Sequence, residues 1–125
     1  MAFGNMGGSV QPETHAQHVI NLIDNGMNVQ MTTDAARFTH SQRSNRLSLE
    51  DNLYHLMAQP LQALGHDLRL VNGSSVGGYQ GILFTRDETL PQPIYDAESI
   101  ADDHPVNGVY RGGSDHRKDG QAVGW

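Results

Sequence analysis

The sequence predicts an α+β fold, in which helices cover sheets without strict alternation of helix and strand. Two observations carry this prediction. Apolar residues recur at helical spacing near the start of the chain, and from residue 68 onward they mostly alternate, as they do in strands. No internal repeat or low-complexity tract interrupts the 125 residues, so the chain amounts to one domain or part of one.

Two consecutive helices are expected in the first third of the chain. The first runs from about Pro12 to Asn25, because proline suits a first helical position and Gly26 suits a left-handed stop. Its apolar stripe, spaced i, i+3, i+4 and i+7, consists of Ala16, Val19, Ile20 and Ile23. Asn28 can cap a second helix that continues through about Ala36.

The middle of the chain predicts one strand and one helix. Leu47 and Leu49 alternate with polar neighbours, as in a short strand. A helix follows from Leu53 to Leu64. We expect Pro60 to interrupt this helix, because proline lacks the N–H group that a helix interior needs.

Strands dominate the remainder of the sequence. They are expected at Leu68–Leu70, Gly78–Arg86, Gly108–Gly113 and Gln121–Trp125, with turns at Asn72–Ser75 and Ser114–Gly120. The stretch from Asp87 to Asn107 is acidic and contains three prolines, which is typical of an insertion loop rather than a regular element.

Composition excludes several function classes. The absence of cysteine excludes disulfides, iron–sulfur clusters and zinc fingers. A net charge of -6 with scattered basic residues argues against a nucleic-acid surface, and no apolar run approaches the roughly 20 residues of a membrane span. Seven histidines are present without any His-x-x-x-His pair, so no metal site is expected. The sequence indicates no particular compartment.

Gly7 and Gly8 stand directly ahead of the first predicted helix. Backbone N–H groups at such a junction have no helical partner, and a bare glycine pair lets a carboxylate, a phosphate or a reacting oxyanion approach them. The pair is therefore a candidate anion-binding turn. Taken alone, such a pair is more often a flexible turn that simply delivers the helix.

Other polar residues have structural interpretations. Asp34 and Arg37 are spaced i, i+3, as in a local ion pair. Ser114 and Asp115, together with Arg117, are expected to brace the last predicted hairpin. The histidines expected at helix ends or in packing are His15, His18 and His66, and those expected in solvent are His40, His55, His104 and His116.

Several ordered motifs together resemble one family. In chain order they are Met6-Gly7-Gly8, Gln11-Pro12, His15-Ala16-Gln17, Leu22 to Asn28, Asp34 to Phe38, Leu64-Gly65-His66 and Ser114 to Gly120. This series resembles the C-terminal part of the small subunit of the gamma-glutamyltransferase family. Only Leu90 to about Pro105 falls outside the resemblance, while Ala36 and His116 stand where the family usually has proline.

The resemblance implies a fold and a chemistry. Family members are N-terminal nucleophile hydrolases with a four-layer αββα sandwich, and we expect no cofactor. Their precursor cleaves itself and exposes a threonine, whose α-amine activates its hydroxyl for attack on γ-glutamyl amides such as glutathione. Water or an amino acid then takes the γ-glutamyl group. Gly7 and Gly8 match the glycine pair of the family's oxyanion hole, whereas none of the threonines in this chain carries the nucleophile motif.

The resemblance also implies partners, namely the upstream part of the small subunit and the large subunit of the same precursor. Without them, sheet edges would be exposed, which favours self-association. This chain alone is expected to be inactive toward γ-glutamyl amides. Two alternatives stay open: a non-catalytic product resembling the light chain, and a segment of a related acylase that cleaves a different side-chain amide.

Overall fold

The computed structural model describes residues 1–89 and 107–123. Within these ranges the helices are α1 (Gln11–Ile23), α2 (Val29–Asp34) and α3 (Asp51–Ala63). The strands are β1 (Ala2–Met6), β2 (Phe38–Ser41), β3 (Arg46–Glu50), β4 (Asp67–Val71), β5 (Gly78–Arg86) and β6 (Gly108–Ser114). The predicted α+β class is confirmed.

The strands form two sheets. The first is antiparallel throughout, with strand order β1-β5-β6, and the second has the order β2-β3-β4. In the second sheet, β2 runs antiparallel to β3, whereas β3 and β4 are parallel and joined by α3. Helices α1 and α2 contact the first sheet. Gly113 of β6 allows this close approach, because a Cβ there would lie 2.7 Å from the Val29 side chain of α2.

The core of the described chain is small and unusually polar. Its buried apolar residues are Val29, Leu47, Leu49, Val76 and Tyr79. The buried polar residues outnumber them and comprise Asn5, Thr14, His18, Thr32, Thr33, Arg37, Glu50 and Asp115. Many of the contacts between the two sheets and the helices are therefore hydrogen bonds and ion pairs of buried side chains.

The face of the first sheet opposite α1 and α2 carries exposed apolar residues. Ile82 is 54% exposed, and Tyr110 is 71% exposed although its ring packs on Phe84 at a centroid distance of 4.7 Å. Exposed apolar surface of this kind is typical of a face that packs against another layer. Self-association through the sheet edges stays a prediction.

Helix α1 has the predicted position but packs through a different face. All four residues of its apolar stripe are exposed, and the exposed fraction of Ile23 is 75%. Thr14 and His18, one turn apart, are the residues that α1 buries. The spacing of the apolar residues thus located the helix correctly, but the contacts of α1 within this chain are made by polar residues.

Four elements differ from the sequence-based expectations. Pro60 does not interrupt α3, because it lies in the last turn, where only one hydrogen bond is lost before the helix ends at Ala63. Strands β1 and β2 were not predicted, since neither shows a clear apolar alternation. The expected final strand is absent at residues 121–123, and residues 124 and 125 lie outside the described ranges.

The remaining elements agree with prediction. Asn28 caps α2, because its side chain accepts a 2.8 Å hydrogen bond from the N–H of Met31. The predicted insertion loop at about 90–105 lies outside the described residues, and its flanks meet where the N–H of Asp87 donates to the carbonyl of Asn107. No helix in residues 1–89 or 107–123 is long and apolar enough to cross a membrane.

Candidate functional site

The Gly7–Gly8 pair forms a tight turn between β1 and α1. Gly7 has φ +136° and Gly8 has φ +60°, both in the half of conformational space that residues with a side chain rarely adopt. Gly7 caps a single 3₁₀ turn, Gly8–Val10, of which Gly8 is the first residue, and α1 begins directly after this turn. The pair therefore starts a 3₁₀ turn rather than the α-helix itself.

The two glycines have different surroundings. A Cβ on Gly7 would lie 2.8 Å from the Val10 side chain and 3.2 Å from the Cα of Gly77, so a side chain there would collide with its neighbours. A Cβ on Gly8 would have no atom of this chain within 4 Å. Gly7 is thus the packed half of the turn, and Gly8 borders open space.

Gly7 and Gly8 are both exposed to solvent. Within residues 1–89 and 107–123, neither N–H has a hydrogen-bond acceptor. The carbonyls of the pair are occupied instead, since Val10 donates to Gly7 and Gln11 donates to Gly8. Two neighbouring backbone donors beside open space can bind an anion or a developing oxyanion.

Asn5 lies directly beneath this turn and is almost fully buried. Its Nδ2 donates 2.7 Å hydrogen bonds to the carbonyl of Met6 and to the hydroxyl of Thr14 on α1. Its backbone N–H donates to Nε2 of His15 at 3.0 Å. The sequence did not single out Asn5, because it belongs to a strand without a clear apolar alternation, and no spacing signal identifies it.

A cluster of buried charges joins the two sheets. Arg37, just after α2, is paired with Asp115, just after β6, and both side chains are almost completely buried. Asp115 also accepts hydrogen bonds from the backbone N–H groups of Tyr79 and Arg117. Arg117 in turn makes two 2.6 Å hydrogen bonds to the Glu50 carboxylate at the end of β3.

This arrangement corrects two sequence-based interpretations. Asp34 and Arg37 do not pair with each other, because the side chain of Arg37 turns inward to Asp115 while Asp34 pairs with His116 at the surface. Asp115 and Arg117 do not brace a hairpin, since residues 121–123 form no strand. They connect the loop after β6 to the second sheet instead.

The environment of Asp115 strongly favours its charged form. Burial alone would raise the pKa of this carboxyl, but hydrogen bonds from the N–H groups of Tyr79 and Arg117 and from Arg37 outweigh burial and lower the pKa to about 2. Asp115 is therefore ionised at neutral pH. Tyr79 pairs with Asn5 across β5 and β1, so the charged cluster lies next to the strand that carries the glycine turn.

His18 is buried against the ring of Tyr79, with ring centroids 4.1 Å apart, which confirms the prediction that it packs. Burial and the positive charge of Arg37 lower the pKa of His18 to about 4, although the nearby carbonyl of Thr32 favours the protonated form. The imidazole is therefore neutral at pH 7. No group of three metal-binding side chains occurs in the part of the chain that the structure describes.

Comparison with known proteins identifies relatives over the whole chain. The oxamate amidohydrolase proenzyme of Klebsiella pneumoniae is 29% identical over 130 residues, which cover 100% of this chain and 21% of that protein. Cephalosporin acylase from Bacillus halodurans is 31% identical with a TM-score of 0.73, over 98% of this chain and 19% of the acylase chain. This chain thus spans about a fifth of the length of either relative.

A mutant of Helicobacter pylori gamma-glutamyltranspeptidase has the same fold, with a TM-score of 0.72 and 21% identity over 93% of this chain and 53% of the matched chain. These structural relatives are N-terminal nucleophile hydrolases, which agrees with the fold that the motifs imply. The family model described as gamma-glutamyltranspeptidase matches residues 1–125. The chain therefore belongs to the gamma-glutamyltranspeptidase family.

Proposed function

We propose that this chain supplies the oxyanion-binding backbone of an amide-cleaving N-terminal nucleophile hydrolase, whose nucleophile is a threonine outside these 125 residues. One observation carries the proposal. Gly7 and Gly8 present two backbone N–H groups without an acceptor in the described chain, and Gly8 borders open space. The free donors and the family membership together support an oxyanion site over a passive turn.

In the proposed reaction, the threonine hydroxyl attacks an amide carbonyl and its proton passes to the α-amine of the same residue. The carbonyl oxygen becomes an oxyanion that accepts hydrogen bonds from Gly7 and Gly8. The C–N bond then breaks, the amine leaves with a proton, and the acyl group stays on the threonine as an ester. Water or an amino acid takes the acyl group and restores the hydroxyl.

The first candidate substrate is a γ-glutamyl amide such as glutathione. A second candidate is another amide of a small acid or of a side chain. It is favoured because cephalosporin acylase and the oxamate amidohydrolase proenzyme are 31% and 29% identical to this chain, against 21% for the Helicobacter pylori transpeptidase. Both candidates use the same oxyanion site and differ only in the acyl group that the rest of the enzyme recognises.

A substrate panel distinguishes these candidates in the complete enzyme that carries this chain. We expect release of the amine from a γ-glutamyl anilide for the first candidate, and from oxamate or a cephalosporin side-chain amide for the second. Amine release is measured by absorbance or mass spectrometry. A mature protein that has no N-terminal threonine by intact mass and cleaves none of these amides would instead support a non-catalytic chain.

Substitution of Gly8 tests the oxyanion site itself. Gly8→Ala in the complete enzyme is expected to lower kcat by about tenfold or more, because the methyl group enters the open space from which the oxyanion approaches its donors. Gly7 is a poorer position for this test, since a side chain there would collide with Gly77. The measurement is kcat and KM on the substrate found by the panel.

Gly26→Ala is the matched control. Gly26 follows α1 with φ +64°, close to the +60° of Gly8, and a Cβ on it also meets no atom within 4 Å. Both substitutions therefore place alanine in the left-handed region, at a similar cost of about 1–2 kcal/mol in stability. If the two variants lose the same activity, or if Gly8→Ala keeps full activity, Gly8 does not border an oxyanion site.

A further inference from the structure

The side chain of Asn5 is hydrogen-bonded to residues on both sides of the glycine turn. It is the second-last residue of β1 and is 5% exposed. Its side chain lies on the side of the first sheet that faces α1, where it contacts Thr14. Burying a polar group costs free energy unless it is hydrogen-bonded. The Asn5 amide makes its hydrogen bonds through Nδ2, whereas Oδ1 has no partner among the described residues, so the Nδ2 contacts define its role.

The Asn5 amide joins the chain before the turn to the chain after it. Before the turn, Nδ2 donates to the carbonyl of Met6 at 2.7 Å. After the turn, Nδ2 donates to Thr14 Oγ1 at 2.7 Å, and this hydroxyl is itself 3.0 Å from the carbonyls of Val10 and Gln11. Asn5 and Thr14 thus hold the two ends of the segment that contains Gly7 and Gly8.

The bond to Met6 has a direct consequence for Gly7. The carbonyl of Met6 and the N–H of Gly7 belong to one planar peptide group, and in a trans peptide they point in opposite directions. Holding the Met6 oxygen toward Asn5 therefore aims the Gly7 N–H away from Asn5, which is the direction in which no acceptor is found within the described residues. Rotation of this peptide group would misdirect the donor.

The backbone of Gly77 packs against the hydrogen bond between Asn5 and the Met6 carbonyl. It has φ +88°, and a Cβ on it would overlap the carbonyl oxygen of Met6 and the Nδ2 of Asn5. Only a glycine at this position lets the backbone pack directly over the amide contact. The Met6–Gly7 peptide group is consequently confined by one hydrogen bond and by one close backbone neighbour.

We infer that Asn5 is a positioning residue, which orients the Met6–Gly7 peptide group so that the Gly7 N–H donates to the oxyanion. This inference rests on the proposed function, since it assigns Asn5 a role only if Gly7 and Gly8 bind the oxyanion. Asn5 does not touch the substrate. It acts through the peptide group that carries the donor.

Asn5→Asp in the complete enzyme is the sharpest test, because it keeps the volume of the side chain and removes its two N–H donors. We expect kcat to fall by about tenfold to a hundredfold with KM changed by less than about threefold, since an oxyanion donor acts mainly in the transition state. A buried carboxyl beside the Met6 carbonyl oxygen and the Thr14 hydroxyl becomes protonated readily and then regains one donor. The ratio of wild-type to Asn5→Asp kcat should therefore shrink as the pH is lowered.

Leu49→Ala is the control for a loss of stability without a loss of positioning. Leu49 is 1% exposed and lies on β3 of the second sheet, whereas the glycine turn follows β1 of the first sheet. Assays are run at a temperature at which thermal unfolding shows all variants to be folded. We expect Leu49→Ala to be less stable and to keep its kcat, whereas Asn5→Asp and Asn5→Ala lose kcat while folded.

The outcomes separate this inference from the proposed function. If Gly8→Ala lowers kcat and both Asn5 variants keep it, the oxyanion site stands and the role of Asn5 is refuted. If Gly8→Ala has no effect, the oxyanion site fails, and any effect at Asn5 is structural. A loss of kcat in Asn5→Asp that is independent of pH and is matched by Leu49→Ala would also overturn the inference.

Discussion

Asp115→Ala is expected to lower the free energy of unfolding by about 3–5 kcal/mol, because it leaves the Arg37 guanidinium buried without its carboxylate partner. Arg37 is 2% exposed and the Asp115 side chain is fully buried, so the unpaired guanidinium stays shielded from bulk solvent. The substitution also removes the acceptor of the Tyr79 N–H group. Urea denaturation at pH 7 measures the change.

The Arg46–Asp67 pair provides the control for this prediction. Its nitrogen and oxygen lie 2.9 Å apart, but its two side chains are 49% and 55% exposed, so solvent screens their attraction. Asp67→Ala is expected to cost less than about 1 kcal/mol. Equal costs for Asp115→Ala and Asp67→Ala would show that the buried cluster contributes no more than a surface ion pair.

A double variant identifies the origin of the loss. Arg37→Met combined with Asp115→Ala removes both members of the pair, and its cost is expected to be smaller than the sum of the two single costs. The double variant is still expected to be less stable than the wild type, because Asp115 also accepts two hydrogen bonds from Arg117. Strict additivity would mean that the two charges do not interact.

Acidification from pH 6.5 to pH 4 is expected to lower the free energy of unfolding by about 3 kcal/mol through His18. Burial first, and then the charge of Arg37, lowers the pKa of His18 from 6.5 in the unfolded chain to about 4 in the folded chain. Between these two values the unfolded chain binds a proton that the folded chain does not. The unfolding free energy therefore falls as the pH is lowered through this window and levels off below it.

His18→Gln should remove this part of the pH dependence, since glutamine does not titrate. His55→Gln is the control, because His55 lies on α3 with 71% of its side chain exposed. The pKa of Asp115 is lowered from 3.8 to about 2, so its own effect appears only at lower pH. Urea denaturation of the three proteins at several pH values measures the slopes, and equal slopes for wild type and His18→Gln would refute the assignment.

The local signals in the sequence were sufficient for most elements. Pro12 and Gly26 lie within three residues of the ends of α1, Asn28 caps α2, and the alternation at Leu47 and Leu49 locates β3. These signals succeed because capping and periodicity depend on neighbours in the sequence. Strand β1 escaped prediction because its hydrogen-bond partner, β5, lies more than 70 residues later in the chain.

The sequence by itself determined the α+β class, the family, and Gly7 and Gly8 as the candidate site, since the order of its motifs and the freedom of glycine are local properties. Only the tertiary structure decided the partners of the polar residues. Arg37 meets Asp115 across 78 residues, and the Asn5 amide bridges β1 and α1 across the glycine turn. Spacing along the chain cannot show such contacts, because burial and pairing depend on how distant segments pack.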